Sequence, residues 1–217
     1  MTKKRITIAL ALGAAVALAG CAGRAPATDY DAMLASMMKS SFRDQGIAKV
    51  DRLQQDVSNA ECSKAQCKHL PDALSKSIEA ANLKTVKMPA DGRFIGDWKS
   101  GERLAQNGRG MTWSDASANT SANGGNCYNC HALDKAEISY GTIGPSLHNY
   151  GKIRGVSDPA SEAAKPIVEY TWGKLYNAKA YNACSAMPRF GHVGMLDEKQ
   201  LKDLMALLLD PKSPVNQ

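Results

Sequence analysis

Apolar residues recur along this chain mostly at three- and four-residue intervals, the spacing of one face of an α-helix. From Asp31 onward Met33, Leu34, Met37, Met38 and Phe42 form such a stripe, until Gly46 interrupts it. Val50, Leu53 and Val57 make a second stretch, and a third opens at Pro71, a favourable first-turn residue, with Leu74, Ile78 and Ala81 on one face. Residues 84–96 (KTVKMPADGRFIG) lose the period and read as an extended connector. Asp97 then caps a helix that stops at Asn107-Gly108. Gly101 and Ala105 lie four apart in that helix and let another helix come close to its backbone. Residues 111–126, rich in Ser, Thr, Asn, Ala and Gly, predict a loop. Near the end Asp197 and Gln200 match a capping box, and the helix they open carries Leu201, Leu204, Met205 and Leu208 before Pro211 stops it. No stretch alternates as a strand does, and no repeat is present. The pattern predicts an all-α protein in which methionines at helical spacing fill the core.

The first twenty residues stand apart. Lys3, Lys4 and Arg5 precede ITIALALGAAVALAG, an apolar run short for a membrane span but suited to a signal peptide. The run closes on Leu18-Ala19-Gly20-Cys21, which resembles a bacterial lipobox in which Cys21 is acylated. An ordinary secretory peptide cleaved a few residues later is the alternative, and both imply export, with the periplasm as destination. Residues 22–30 (AGRAPATDY) are then a small, polar tether. Removal of the leader takes the formal charge from +6 to about +3. With no basic run interleaved with aromatics, this excludes nucleic acid as a partner. The expected organisation is a signal peptide at 1–20, a tether and helical extension at 21–84, and a second domain at 85–217.

Six cysteines in an exported chain would ordinarily pair as disulfides. Their spacing argues otherwise. Cys127-Tyr128-Asn129-Cys130-His131 is C-x-x-C-H, the attachment sequence for a covalent haem c. Two thiols three residues apart reach the two vinyl groups of one porphyrin, and the adjacent His131 reaches the iron as an axial ligand. The rival readings are a thioredoxin-like redox pair, which needs a βαβ context, and a zinc site, for which Cys62, Cys67 and His69 would have to supply further ligands. Export, the histidine and the loops on either side favour one haem. With Cys21 assigned to lipid, Cys62 and Cys67 are expected to close a small disulfide across a polar turn, which leaves Cys184 unpaired. Cys184 could pair with the extension, bridge to a partner, compete for the iron as a thiolate, or lie buried and inert.

Downstream of His131, Gly141-Thr-Ile-Gly-Pro145-Ser-Leu147 resembles the proline loop of class I cytochromes c. That resemblance implies that the Pro145 carbonyl accepts the Nδ1 hydrogen bond of the axial histidine and fixes its orientation. Met88, Met111, Met187 and Met195 compete for the sixth position. Met88 precedes the haem segment, Met111 has no following proline and Met195 abuts the last helix. Met187 lies 56 residues after His131 in an irregular Pro/Gly-rich segment, NACSAMPRFG, and is the expected second axial iron ligand. His148 and His192 are the histidine alternatives, and Arg154 and Lys152 are candidates for haem propionates or plain solvated charges.

The order of the Gly101 helix, CYNCH, GTIGPSL, ACSAMPRFG and a last helix running into DPKSPVN resembles SoxX, the small haem subunit of the SoxAX cytochrome of bacterial sulfur oxidation. The resemblance covers residues 85–217. It implies a class I cytochrome c domain, preceded here by a helical extension the family does not explain, with His131 and Met187 as ligands. It also implies a heterodimer with a SoxA-like haem subunit, action on a SoxY-type carrier protein whose cysteine is joined oxidatively to thiosulfate, and an electron-acceptor cytochrome. No general base or activated nucleophile stands at recognisable spacing, so the chain reads as a non-catalytic electron-transfer subunit of an L-cysteine S-thiosulfotransferase complex. The competing expectations are a free-standing lipid-anchored electron carrier and a haem enzyme or sensor with an open sixth site.

Overall fold

The computed structural model describes residues 28–65 and 69–217. The expected leader, the lipidation at Cys21 and Cys67 lie outside the described residues. All regular structure within them is helical: α1 (Tyr30–Ser41), α2 (Val57–Lys64), α3 (Asp72–Leu83), α4 (Trp98–Gln106), α5 (Lys165–Tyr176) and α6 (Glu198–Leu209), joined by loops with short 3₁₀ turns. The all-α expectation therefore holds. No helix among the described residues is long and apolar enough to cross a membrane.

The chain divides at Arg43. The segment up to that residue contains α1, capped by Asp29, which accepts from the Ala32 N–H, and none of the α1 residues is buried. Asp44–Gln217 forms one compact unit. α2 and α3 of the expected extension share this unit with everything that follows them. Val50, Leu53 and Val57 do not lie on one helix. Val50–Leu53 is a single 3₁₀ turn, and Asp56 starts α2 afresh by capping the Asn59 N–H. On α3, Ile78 is buried as expected, but Asn82 rather than Ala81 takes the next buried place.

Two helices form the centre of the core. On α4, Asp97 caps the Lys99 and Ser100 N–H groups, and the buried face is Gly101 and Ala105. A Cβ at Gly101 would overlap the Asp203 carbonyl, so the small residue is what lets α4 lie against α6. On α6 the Asp197–Gln200 capping box is complete, and Leu201, Leu204, Met205, Leu207, Leu208 and Leu209 are all buried. Full burial of side chains this large contributes roughly 1.5–3 kcal/mol each. Asp203, buried on α6, accepts from the Asp97 N–H at 2.9 Å and from Lys199 Nζ at 2.6 Å.

The hydrophobic pattern does not announce α5. It opens with Pro166 in its first turn and buries Val168, Thr171, Trp172 and Leu175, a stripe diluted by a threonine and by Gly173. Trp172 Nε1 donates to the Lys87 carbonyl at 2.8 Å and its ring meets Phe94 edge-on, which fastens the 84–96 connector. The C-terminal SPVN folds back under α6. Ser213 Oγ donates to the Leu207 carbonyl at 2.6 Å, and Asn216 Nδ2 donates to the Leu208 carbonyl at 3.1 Å, satisfying carbonyls that a helix end leaves open.

One covalent staple crosses the unit. Cys62 of α2 is bonded to Cys184, 122 residues away in sequence. This corrects the expected Cys62–Cys67 pair. That expectation rests on nearness in sequence across a polar turn, whereas the fold carries α2 onto the 182–191 segment. Cys184 has the partner in the extension that was one of its alternatives.

Candidate functional site

The C-x-x-C-H segment is placed by main-chain bonds. Gly125 N–H donates to the Leu104 carbonyl at 2.8 Å and Asn126 N–H to the Asn107 carbonyl at 3.0 Å, which moor it to the end of α4. Asn126, in the left-handed region at φ 49°, turns the chain into the 3₁₀ turn Cys127–Asn129. His131 N–H then closes on the Cys127 carbonyl at 2.9 Å, and the two cysteines and the histidine come to one wall of a common cavity. Both thiols are free, and burial pushes the Cys127 thiol up to about 12.

The proline loop runs back alongside this turn. Gly141 N–H donates to the Tyr128 carbonyl at 2.9 Å, Gly144 N–H to the Cys130 carbonyl at 2.8 Å and Leu147 N–H to the Ala132 carbonyl at 2.7 Å. These three bonds deliver the Pro145 carbonyl to 2.7 Å from His131 Nδ1. A carbonyl oxygen can only accept, so Nδ1 is the nitrogen that donates in this contact and Nε2 is the one left to face the cavity. A Cβ at Gly144 would run into the imidazole, so that glycine is required for the ring to lie against the loop.

The cavity holds about 620 Å³, within the roughly 300–1,000 Å³ of small-molecule sites. Cys127, Cys130 and His131 line one side, Met187 and Phe190 another, and Leu204, Leu207 and Leu208 of α6 the apolar base. Of the four methionines weighed from the sequence, only Met187 lines it. Met88 is 54% exposed, the Met111 carbonyl receives Arg52 Nη1, and Met195 packs on the core from outside this cavity. Neither alternative histidine lines it. His148 Nδ1 lies 3.3 Å from the Leu133 carbonyl, and His192 is exposed. Arg154 is at the rim, its guanidinium 3.7 Å over the Tyr150 ring, whereas Lys152 is exposed and does not line the cavity.

Several residues that shape the cavity escaped the sequence reading. Tyr150 lines it with its hydroxyl 2.9 Å from Thr171 Oγ1, and Lys174, whose amine burial lowers, stands at its edge from α5. Asn216 accepts the Gly151 N–H at 2.9 Å and so anchors the turn that carries Tyr150 and Arg154. For Lys174 and Thr171 the signal would have been the apolar stripe of α5, which is too diluted to read, and Tyr150 and Asn216 lie outside any periodic stretch.

The chemistry of the donors limits what fits. Among the described residues, no three His, Cys, Asp or Glu side chains converge to chelate a metal ion. Cys62, required by the zinc alternative, is spent on Cys184. What remains is a pair of thiols, one imidazole nitrogen and one thioether around a large apolar space, a donor set suited to a flat prosthetic group.

No protein-family model matches the chain. An uncharacterized lipoprotein of Aquifex aeolicus (strain VF5) is 38% identical over 137 residues, which cover 61% of this chain and 59% of that protein. The chain therefore spans under two thirds of the length of the curated relative it matches.

Proposed function

We propose that the chain is a mono-haem c-type cytochrome of the class I type that carries electrons as the SoxX-like subunit of a SoxAX complex. The observation that carries the haem reading is one cavity lined at once by Cys127, Cys130, His131 and Met187, with His131 Nδ1 on the Pro145 carbonyl. Cys127 and Cys130 would hold the group through thioethers, and His131 and Met187 would be its axial ligands. Bound there, a His/Met-ligated haem supplies one-electron transfer at a raised potential. The protein's own part is to orient and to exclude water. Pro145 fixes the orientation of the His131 ring through Nδ1, the α6 leucines keep the base dry, and Arg154 and Lys174 put positive charge at the rim.

The SoxX assignment rests on the order of the CYNCH, GTIGPSL, ACSAMPRFG and SPVN segments. In that reading a SoxA-like haem subunit is the partner, thiosulfate is joined to a SoxY-type carrier within the complex, and this chain passes the electrons on to an acceptor cytochrome. Cys21 would be acylated and hold the complex at a periplasmic membrane face. The relative described as a lipoprotein supports that anchor. The second reading, with the same anchor, is a free-standing lipid-anchored electron carrier. Purification from an exporting host decides between them. Co-elution with a second haem protein supports the SoxX reading, and a stable monomer that exchanges electrons directly with an oxidase supports the second. Intact mass reports acyl chains and haem together.

A further inference from the structure

Met187 lies in a segment that scarcely holds itself. Between Asn182 and Pro188 its internal bonds are Ser185 N–H to the Asn182 carbonyl at 3.0 Å, Cys184 N–H to Asn182 Oδ1 at 3.1 Å and Met187 N–H to Ser185 Oγ at 3.3 Å. Residues of α2 and α3, with the Asp56 cap and Thr85 beside them, supply most of the rest. Cys62 of α2 is bonded to Cys184, three residues before Met187. Glu79 of α3 accepts the Ala183 N–H at 3.1 Å, four residues before it. Asp56, the α2 cap, pairs with Arg189 at 2.6 Å, two residues after it, and the arginine side chain is only 16% exposed. At the root of the segment the buried Asn177 donates to Asn82 Oδ1 at 3.0 Å and to Thr85 Oγ1 at 2.9 Å. Buried Lys179 closes the inner side by donating to the Ala183 carbonyl at 3.0 Å.

The geometry points to α2 and α3 as a brace that holds the Met187 sulfur over the cavity, with Asp56, Cys62 and Glu79 as positioning residues. This rests on the proposed haem reading and gives the extension a role that the SoxX resemblance leaves without one. A thioether is a neutral, weak donor, so its hold on iron depends on how little freedom the segment regains on letting go. Gripping the chain on both sides of Met187 removes most of that freedom. An external ligand that needs the vacated position then binds only in proportion to the population in which the sulfur is off.

The test uses the full-length haem-loaded protein in the ferric state, with imidazole as the competing ligand. Release of the brace in Cys62→Ser/Cys184→Ser is expected to weaken the methionine–iron charge-transfer band and to tighten imidazole binding roughly tenfold. Asp56→Asn acts in the same direction by a smaller factor, and Asp56→Glu restores the parent value. Should the double variant fail to mature, the folded parent is treated with a phosphine, its thiols capped with iodoacetamide and its iron reoxidised with ferricyanide, and the same gain is expected. Unchanged imidazole affinity and band alongside a lowered melting temperature would overturn the brace and leave the haem reading standing. A parent protein without covalent haem, read from its pyridine haemochrome before any titration, overturns both.

Discussion

The two walls of the cavity are built in opposite ways. The His131 wall is local. The turn 127–131 and the loop 141–147 are joined by three main-chain bonds, each spanning 13 to 15 residues of sequence. The Met187 wall is borrowed, because its position comes from a disulfide across 122 residues, an amide bonded to Glu79 across 104 and an ion pair to Asp56. A local wall forms from its own sequence wherever the flanking core exists. A borrowed wall can be loosened from far away while the core persists.

The largest break in this contrast is on the local side. Gly144→Ala forces a Cβ into the imidazole, and overpacking of that kind costs about 1–3 kcal/mol on its own. The expected outcome is loss of the His131–Pro145 contact and failure to retain haem, seen as absent haem absorbance in the folded fraction. Opening the staple with Cys62→Ser/Cys184→Ser should lower urea-unfolding stability by roughly 3–5 kcal/mol, the order expected for a closed loop of about a hundred residues. His131 and its proline loop should remain ordered by NMR.

Asp56→Ala removes a helix cap and an ion pair together, for about 1–2 kcal/mol by denaturant titration. Burial opposes ionisation of this carboxyl, but the Asn59 N–H and then Arg189 outweigh it and hold Asp56 below its ordinary value of 3.8. The folded state thus binds fewer protons than the unfolded one. The stabilisation is complete at neutral pH and down to about pH 5, and it fades as pH falls through 3.8 and below. The difference in stability between parent and Asp56→Ala should therefore shrink in acid and hold constant from pH 5 to 8. Lys64→Ala, which removes an exposed pair with Glu61 on the same helix, should change stability by less than about 0.5 kcal/mol and leave both walls unaffected.

The same contrast explains what could be read in advance. The local wall was legible because its spacing is its geometry: C-x-x-C-H and the following Gly-x-x-Gly-Pro each fix neighbours within a few residues. Helix ends were legible for the same reason, since Asp97 and Asp197 accept from N–H groups two or three positions on and Gln200 accepts from the Asp197 N–H three positions back. The Cys62–Cys184 bond, the Asp56–Arg189 pair and the Asn82–Asn177 contact left no periodic trace, because each is created only when distant segments meet. The exposed Val57 shows the converse. It continued an apolar spacing in sequence, yet Asp56 restarts the helix there and turns the side chain to solvent. Met187 fell between the two cases: its Pro/Gly surroundings singled it out, but what holds it did not show.

The central claim is that one covalent haem sits between His131 and Met187. Near-infrared absorption of the ferric, exported protein, compared between parent and Met187→Ala, addresses it most directly. The account predicts a methionine–iron charge-transfer band in the parent that disappears in Met187→Ala while the haem stays covalently attached. A parent with no such band, or a band that survives in Met187→Ala, would contradict it.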